Sequence, residues 1–304
     1  MKQNQEEYYL NIVKLLKIQS FSYPSLGLNG RCAAAIFLFE LSGKENNTEI
    51  YDQAIDFIER ELNEIDKIEN LSLYNGLCGI AWTIQYLANE DFIDLNVDSY
   101  LSQYLEKHFI QFKDNNYNIS TVYQFQTYTD LLFYFSSRYI SVKKERQKIK
   151  YAQLISQILI ILNQQSYTDQ TFERQNSFPF QNIFFLLRAL IYLLDIDFQS
   201  PLIKPLLQKI KEKIEKKKDF ESGDSYQMYI LRKVTIYTSK SQSFTDRKPV
   251  IKDYTQNNHI TTKDNSIGIW NNSIVHDAIR KILTTKPEKD LGLNYILECQ
   301  YNSY

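Results

Sequence analysis

The sequence has 304 residues and a net charge of −1 at neutral pH, with 35 basic side chains balanced by 36 acidic ones. That balance excludes a protein held to nucleic acid or to a membrane surface by bulk electrostatic attraction. Eight glycines and six prolines are few for a fold rich in tight turns, whereas 23 tyrosines and 18 phenylalanines supply a large core. We therefore expect a helical protein.

Cysteine usage and apolar runs suggest where the protein works. The three cysteines, Cys32, Cys78 and Cys299, have no paired spacing, so they do not form a disulfide framework. The first residues are polar and lack the apolar region of a signal peptide. The longest apolar run, 183–194, is interrupted by Arg188 and is shorter than the ~20 residues that span a bilayer. We expect a cytoplasmic protein without a membrane span.

The first predicted elements are a helix over 6–18 and a loop that continues to residue 28. A buried helix then begins at the turn pair Asn29-Gly30, where glycine permits a tight backbone path. An amphipathic helix over 49–68 follows, since its apolar residues recur at helical spacing. This first unit is therefore predicted to be a hairpin of one buried and one amphipathic helix.

The same pattern returns about 46 residues later, between Ser72 and Leu87. Its centre is Gly76-Leu77-Cys78-Gly79, where Cys78 matches Cys32 and Gly79 takes the place of Ala33. The residues that follow are apolar on nearly all sides, which indicates a buried helix whose start closely approaches another backbone or a ligand. A period of roughly 40–50 residues indicates a repeated supersecondary unit.

Later elements continue this alternation of buried and amphipathic helices. Amphipathic helices are predicted over 96–112, over 146–162 and after Ser200-Pro201, and buried helices near Thr127 and over 183–194. Further helices are predicted over 225–237, over 272–283 and from 285, and the polar stretch 239–266 is a long loop. The total is about twelve helices, or six hairpins, in a single domain over 1–304.

The segment Ser-Leu-Tyr-Asn-Gly-Leu-Cys-Gly-Ile-Ala-Trp around Gly76 and Gly79 resembles the signature turn of the lanthionine synthetase C-like family, and Gly30 marks a weaker copy. The resemblance is clearest over 25–90, and the pattern is degenerate after 115. It implies an all-α fold, an α/α toroid in which inner helices start from Gly-x-x-Gly turns and outer helices surround them.

The resemblance also implies a chemistry, the addition of a cysteine thiol to a dehydrated serine or threonine to close a thioether ring in a peptide. In the family a zinc ion activates the thiol, and its ligands lie in a Trp-Cys turn and in a later Cys-His turn. Here Trp82 and Trp270 lack a following cysteine, and the sequence contains no Cys-His pair. We therefore expect no metal, no cofactor and no catalytic residue of the family type.

The leading functional prediction is a metal-free family member that matures a ribosomally made peptide by binding or presenting it. Its partner would be a precursor peptide or another peptide-maturation enzyme. An active enzyme is the alternative: a divergent cyclase using His259, His276 and Cys299, or a toroid acting on carbohydrate through an Asp/Glu pair at the ring centre. A structural partner of a maturation enzyme, acting through a lysine-rich face or the 239–266 loop, is a third.

Arg188 is the main candidate for substrate binding, because it is the one charge in an apolar helix and a buried charge needs a partner. It could bind a substrate carboxylate at the ring centre. It could instead pair with Asp195 or Asp197, or reach solvent with its long side chain.

The remaining candidates have simpler structural interpretations. Cys32 and Cys78 occupy equivalent turns and are expected to act as small apolar fillers. His108 borders the apolar stripe of its helix and is expected to be a packing residue. The lysine-rich face is expected to be a solvated outer surface, and consists of Lys209, Lys211, Lys213, Lys216, Lys217 and Lys218.

Overall fold

The computed structural model describes residues 13–14, 27–115, 119, 121–164, 180–216 and 225–239, and every regular element within these ranges is a helix. The α-helices are α1 (Arg31–Glu45), α2 (Thr48–Asn63), α3 (Leu77–Asn89), α4 (Val97–Tyr100), α5 (Ser102–Asn115), α6 (Val122–Ser141), α7 (Glu145–Gln164), α8 (Phe180–Asp195), α9 (Ile203–Lys216) and α10 (Ser225–Thr238). Two 3-10 turns lie at Gly27–Asn29 and Ile65–Lys67.

The helices form two layers that follow the chain. In the inner layer α1 packs on α3, α3 on α6, α6 on α8 and α8 on α10. In the outer layer α2 packs behind α1, α5 behind α3, α7 behind α6, and α9 behind α8 and α10. This alternation confirms the predicted all-α toroid of inner and outer helices. The predicted total of six hairpins depends partly on residues 240–304, which lie outside the described residues.

The sequence pattern explains which layer each helix joins. Every residue from Leu77 to Leu87 in α3 is buried, as expected for a helix that is apolar on nearly all sides. In α2 the buried residues lie on one stripe, and Asn47 caps the helix by accepting hydrogen bonds from the N–H groups of Glu49 and Ile50. An inner helix therefore has neighbours on all sides, and an outer helix on one side only.

The third inner helix begins earlier than predicted. The sequence interpretation placed its start near Thr127, but α6 begins at Val122 and Thr127 is fully buried within it. A capping box explains the difference: Thr121 Oγ1 accepts the Gln124 N–H at 3.1 Å, and Gln124 Oε1 accepts the Thr121 N–H at 3.0 Å. These two bonds satisfy backbone N–H groups at the helix start, so no glycine turn is needed there.

Other boundaries also differ from the predictions. The helix predicted over 96–112 is divided at Leu101 into α4 and α5, and the one predicted over 49–68 ends at Asn63. Helix α9 begins at Ile203 instead of Pro201, since Ser200 Oγ accepts the Leu202 N–H at 3.3 Å in a separate turn. The predicted helices over 6–18 and 272–283 lie outside the described residues, except that residues 13–14 are helical.

None of the described helices combines the length and apolar character that crossing a membrane requires.

Candidate functional site

The Gly76–Gly79 turn lies in close contact with the backbone of the loop before it. A Cβ atom at Gly79 would lie 1.9 Å from the Leu73 carbonyl oxygen, and one at Gly76 would lie 2.1 Å from the Asn70 carbonyl oxygen. The Gly76 φ of −157° is ordinary extended backbone, so glycine is required there for space. The close approach predicted for this helix start is therefore made to backbone, and the turn is a packing joint between the inner helix and the loop before it.

The 3-10 turn at Gly27–Asn29 completes this joint. Gly27 has a φ of 71°, which favours glycine, and a Cβ there would lie 2.9 Å from the Tyr74 carbonyl oxygen. Gly30, the weaker copy of the motif, donates its N–H to the Gly27 carbonyl at 3.0 Å and immediately precedes α1. Both copies of the motif thus meet at the N-terminal ends of α1 and α3.

Asp130 of α6 is a buried carboxyl beside this joint. Its Oδ2 accepts a hydrogen bond from the Leu73 N–H at 2.8 Å, and the residue is 4% exposed. Burial raises the pKa of Asp130 to about 7, although the bond from Leu73 opposes the rise. The third repeat has lost the glycines but contributes this carboxyl, which holds the loop of the preceding hairpin in place.

The two cysteines of the repeated turns are fully buried. Burial raises the pKa of both thiols well above the usual value, and Glu61 adds to the effect at Cys32 as Asp130 does at Cys78. Such thiols are poor nucleophiles, because the nucleophile is the thiolate. Their positions agree with the interpretation as apolar fillers.

A second buried carboxyl, Glu61, links α2 to the start of α1. Arg31 donates to Glu61 Oε1 from Nε at 2.9 Å and also binds Glu64. Burial raises the pKa of Glu61 to about 7 and outweighs the opposing effect of Arg31. Glu61 lies on an outer helix and is bound to Arg31, whereas Asp130 lies on an inner helix and is bound to Leu73. Each of these two carboxyls is therefore held by its own local partner.

A polar pocket of about 360 Å³ lies where α3 and α6 end and α7 begins. The lining comes from these helices, from α4 and from the segments between α3 and α4 and between α6 and α7. It includes Gln85, Leu95, Asp98, Arg138, Lys143 and Lys144. Because the glycine joint lies at the start of α3, the pocket is at the opposite end of that helix. The pocket is an open, concave polar feature of the described residues.

Arg138 is a fixed cation in the wall of this pocket. It is 5% exposed, its Nη2 binds Asp98, and its Nε donates to the Tyr151 hydroxyl at 3.4 Å. The Tyr151 hydroxyl in turn donates to Asp98 Oδ1 at 3.0 Å. The sequence interpretation missed Arg138, although a single arginine in an apolar helix was the signal that singled out Arg188. Thus a rigid network of Asp98, Arg138 and Tyr151 shapes one side of the pocket.

Arg188 lies on inner helix α8 and is 4% exposed, but it does not line this pocket. Of its two predicted carboxylate partners, Asp195 binds Lys233 at 3.1 Å and also Tyr237, and Asp197 accepts a bond from Gln199. Its proposed contact with a substrate carboxylate stays a prediction.

The other two candidates are half-buried surface features. The ring of His108 packs on that of Tyr104, with the ring centroids 4.6 Å apart. Burial lowers the pKa of His108, and the positive charge of Lys107 lowers it further. On the lysine-rich face Lys209, Lys211 and Lys213 are half-buried, so this part of the face is less solvated than predicted.

A comparison with protein-family models decides the family. The model described as lanthionine synthetase C-like protein matches residues 25–180, just over half of the chain. The chain belongs to the lanthionine synthetase C-like family. No curated protein and no solved structure matched the sequence significantly. The family match includes α1 to α7 and therefore extends well beyond 25–90, where the sequence pattern is clearest.

The zinc ion of the family needs three or four ligands from His, Cys or carboxylate side chains of this lanthionine synthetase C-like chain. Within the described ranges, no group of three or more His, Cys, Asp or Glu is placed to hold a metal ion. The three late donor residues, His259, His276 and Cys299, lie outside the described residues. The described part of the chain therefore does not fit the zinc ion.

Proposed function

We propose that this lanthionine synthetase C-like protein acts in the maturation of a ribosomally made peptide by binding or presenting that peptide, without the zinc chemistry of the family. One contrast carries the proposal. The chain keeps the family's glycine turn at Gly76 and Gly79 but has neither the Trp-Cys turn nor the Cys-His turn that would hold zinc. The glycine turn builds the inner layer of helices, so it is needed for the fold whether or not zinc chemistry is present.

The chemistry of the described thiols supports the same proposal. Activating a peptide thiol requires a bound cation or another group that lowers the thiol pKa. The two described cysteines belong to no group of three or more His, Cys, Asp or Glu that is placed, within the described residues, to hold such a cation. The family relation then favours a role in which the whole chain, as one domain, binds a precursor peptide or hands it to another maturation enzyme.

A synthetic peptide with one dehydroalanine, one cysteine and a fluorescein label tests this proposal. The purified protein is mixed with the peptide and zinc, binding is followed by fluorescence anisotropy, and remaining thiol is counted by alkylation and mass spectrometry. We expect saturable binding and a thiol that disappears no faster than in protein-free buffer. Zinc-dependent loss of the thiol would support the divergent cyclase instead, and a lack of binding would overturn the peptide-binding role.

A further inference from the structure

We propose that the pocket between the ends of α3 and α6 and the start of α7 binds an acidic side chain of a peptide, together with a backbone N–H next to it. This inference rests on the proposed function and narrows it to acidic peptide segments. It names Lys143 and Lys144 as the groups that pair with the carboxylate and Gln85 as the acceptor for the backbone N–H.

Two exposed lysines stand at the mouth of the pocket, directly before α7. Lys143 and Lys144 form no ion pair with any described residue, whereas Lys150 of the same helix binds Glu106 at 2.6 Å. The Lys144 carbonyl accepts the N–H groups of Gln147 and Lys148, so Lys144 occupies the capping position of a 20-residue helix. A lysine side chain has no acceptor with which to cap the helix start, where the helix dipole favours an anion.

Gln85 provides an independent reason to expect a ligand. It lines the pocket and is 2% exposed, and its Nε2 is directed at the Ser137 carbonyl and hydroxyl, at 3.4 and 3.5 Å. Its Oε1 is buried and accepts no hydrogen bond from any described residue. A buried acceptor without a donor costs about 1–3 kcal/mol. Once the Gln85 amide turns its oxygen toward the pocket, a peptide N–H bound there would remove that cost.

The charges of the pocket favour an anion over a cation. Its lining contains the cations Arg138, Lys143 and Lys144 but only two acids, Asp94 and Asp98. Asp98 is already bound by Arg138 and Tyr151, so it is not available to a cationic ligand. The excess positive charge therefore lies at the two free lysines.

The size and apolar content of the pocket suit a short peptide stretch. A volume of about 360 Å³ lies near the lower end of the range for ligand pockets, about 300–1,000 Å³. Leu95, at 39% exposed, offers an apolar contact beside the lysines. The pocket can thus hold one or two side chains with their backbone.

Two labelled peptides and matched variants test the inference. The acidic probe is fluorescein-Gly-Ser-Glu-Leu-Asp-Gly-Ser, and the second replaces Glu by Gln and Asp by Asn. We expect the protein to bind the acidic peptide about 5-fold more tightly, and Lys143→Ala/Lys144→Ala to abolish that preference. Lys67→Ala/Lys107→Ala, which removes two exposed lysines away from the pocket, should leave it unchanged. Gln85→Met should weaken both peptides alike.

The outcomes separate this inference from the proposed function. Equal affinity for the two peptides, or an acidic preference that survives the loss of Lys143 and Lys144, would overturn the pocket assignment and leave peptide binding in place. Failure to bind either of these peptides and the dehydroalanine peptide would overturn both. Circular dichroism spectra that match the unchanged protein ensure that a loss of binding reflects the pocket and not unfolding.

Discussion

At the scale of single residues, close backbone contact and burial determine the roles of the residues that stand out in the sequence. Gly79 and Gly76 allow carbonyl oxygens from the preceding loop to approach where a Cβ would otherwise stand. Asp130 fixes that same loop through the Leu73 N–H. A glycine motif and two cysteines are the residues that most suggest a reactive site in the sequence. In the structure they instead form the joint between inner helices.

Gly79→Ala tests this role of the glycine turn. The added Cβ would lie 1.9 Å from the Leu73 carbonyl oxygen, and because that atom is backbone the loop itself must move. We expect the free energy of unfolding to fall by about 3 kcal/mol or more, measured by urea denaturation.

The matched control is Gly43→Ala in α1. The nearest atom to a Cβ there is a ring carbon of Phe92 at 3.6 Å, an ordinary contact, and alanine favours a helix by up to about 1 kcal/mol over glycine. Gly43→Ala should therefore be neutral or stabilising. Equal stability of the Gly79→Ala and unchanged proteins would disprove the packing joint.

Asp130→Asn tests the buried carboxyl through its pH dependence. Burial raises the folded-state pKa of Asp130 from its ordinary 3.8 to about 7, so the folded protein holds this proton more tightly than the unfolded chain does. The resulting stabilisation is complete at low pH and is lost as the pH rises from about 4 to about 7. Asparagine keeps an oxygen for the Leu73 N–H but does not titrate.

Between pH 5 and pH 8 the variant should therefore gain about 3 kcal/mol of stability relative to the unchanged protein. Urea denaturation at both pH values measures this difference. Glu61 also titrates near pH 7 but is common to both proteins, so its effect cancels. Parallel stability curves for the two proteins would show that Asp130 is ionised at both pH values.

At the scale of elements, the helices follow the periodicity of the sequence, while their ends follow local hydrogen bonds. The buried character of α3 and the amphipathic stripe of α2 could both be predicted, because burial on all sides or on one stripe leaves a direct trace in residue type. The start of α6 was predicted wrongly because a glycine turn was expected. The Thr-Val-Tyr-Gln sequence from Thr121 to Gln124 already carried the capping-box signal.

Thr121→Ala tests the capping box. Removing the side-chain oxygen leaves the Gln124 N–H without its partner, so we expect the free energy of unfolding to fall by about 1 kcal/mol. Thr121→Ser keeps a hydroxyl oxygen at the same place and should retain most of the stability. An alanine variant as stable as the serine variant would mean that the cap contributes nothing.

At the scale of the whole molecule, a repeated hairpin that begins at a glycine turn indicates both the fold and the family. The pocket could not be found in this way, because it joins Gln85 and Leu95 to Arg138 and Lys143, which lie about 50 residues further along the chain. The network of charged side chains in the pocket depends on where the helices of the two layers end relative to one another. Hydrophobic periodicity carries no information about those positions. The glycine turn therefore serves the fold, and the pocket is the part that we propose for peptide binding.

The zinc content of the protein is the most direct test of the central claim that this family member works without the family's metal. The purified, tag-free protein is incubated with zinc, separated from free ions by gel filtration and measured by elemental analysis. We expect far less than about one zinc ion per chain. About one zinc ion per chain, lost when His259, His276 and Cys299 are replaced by alanine, would contradict that claim and identify a divergent zinc cyclase.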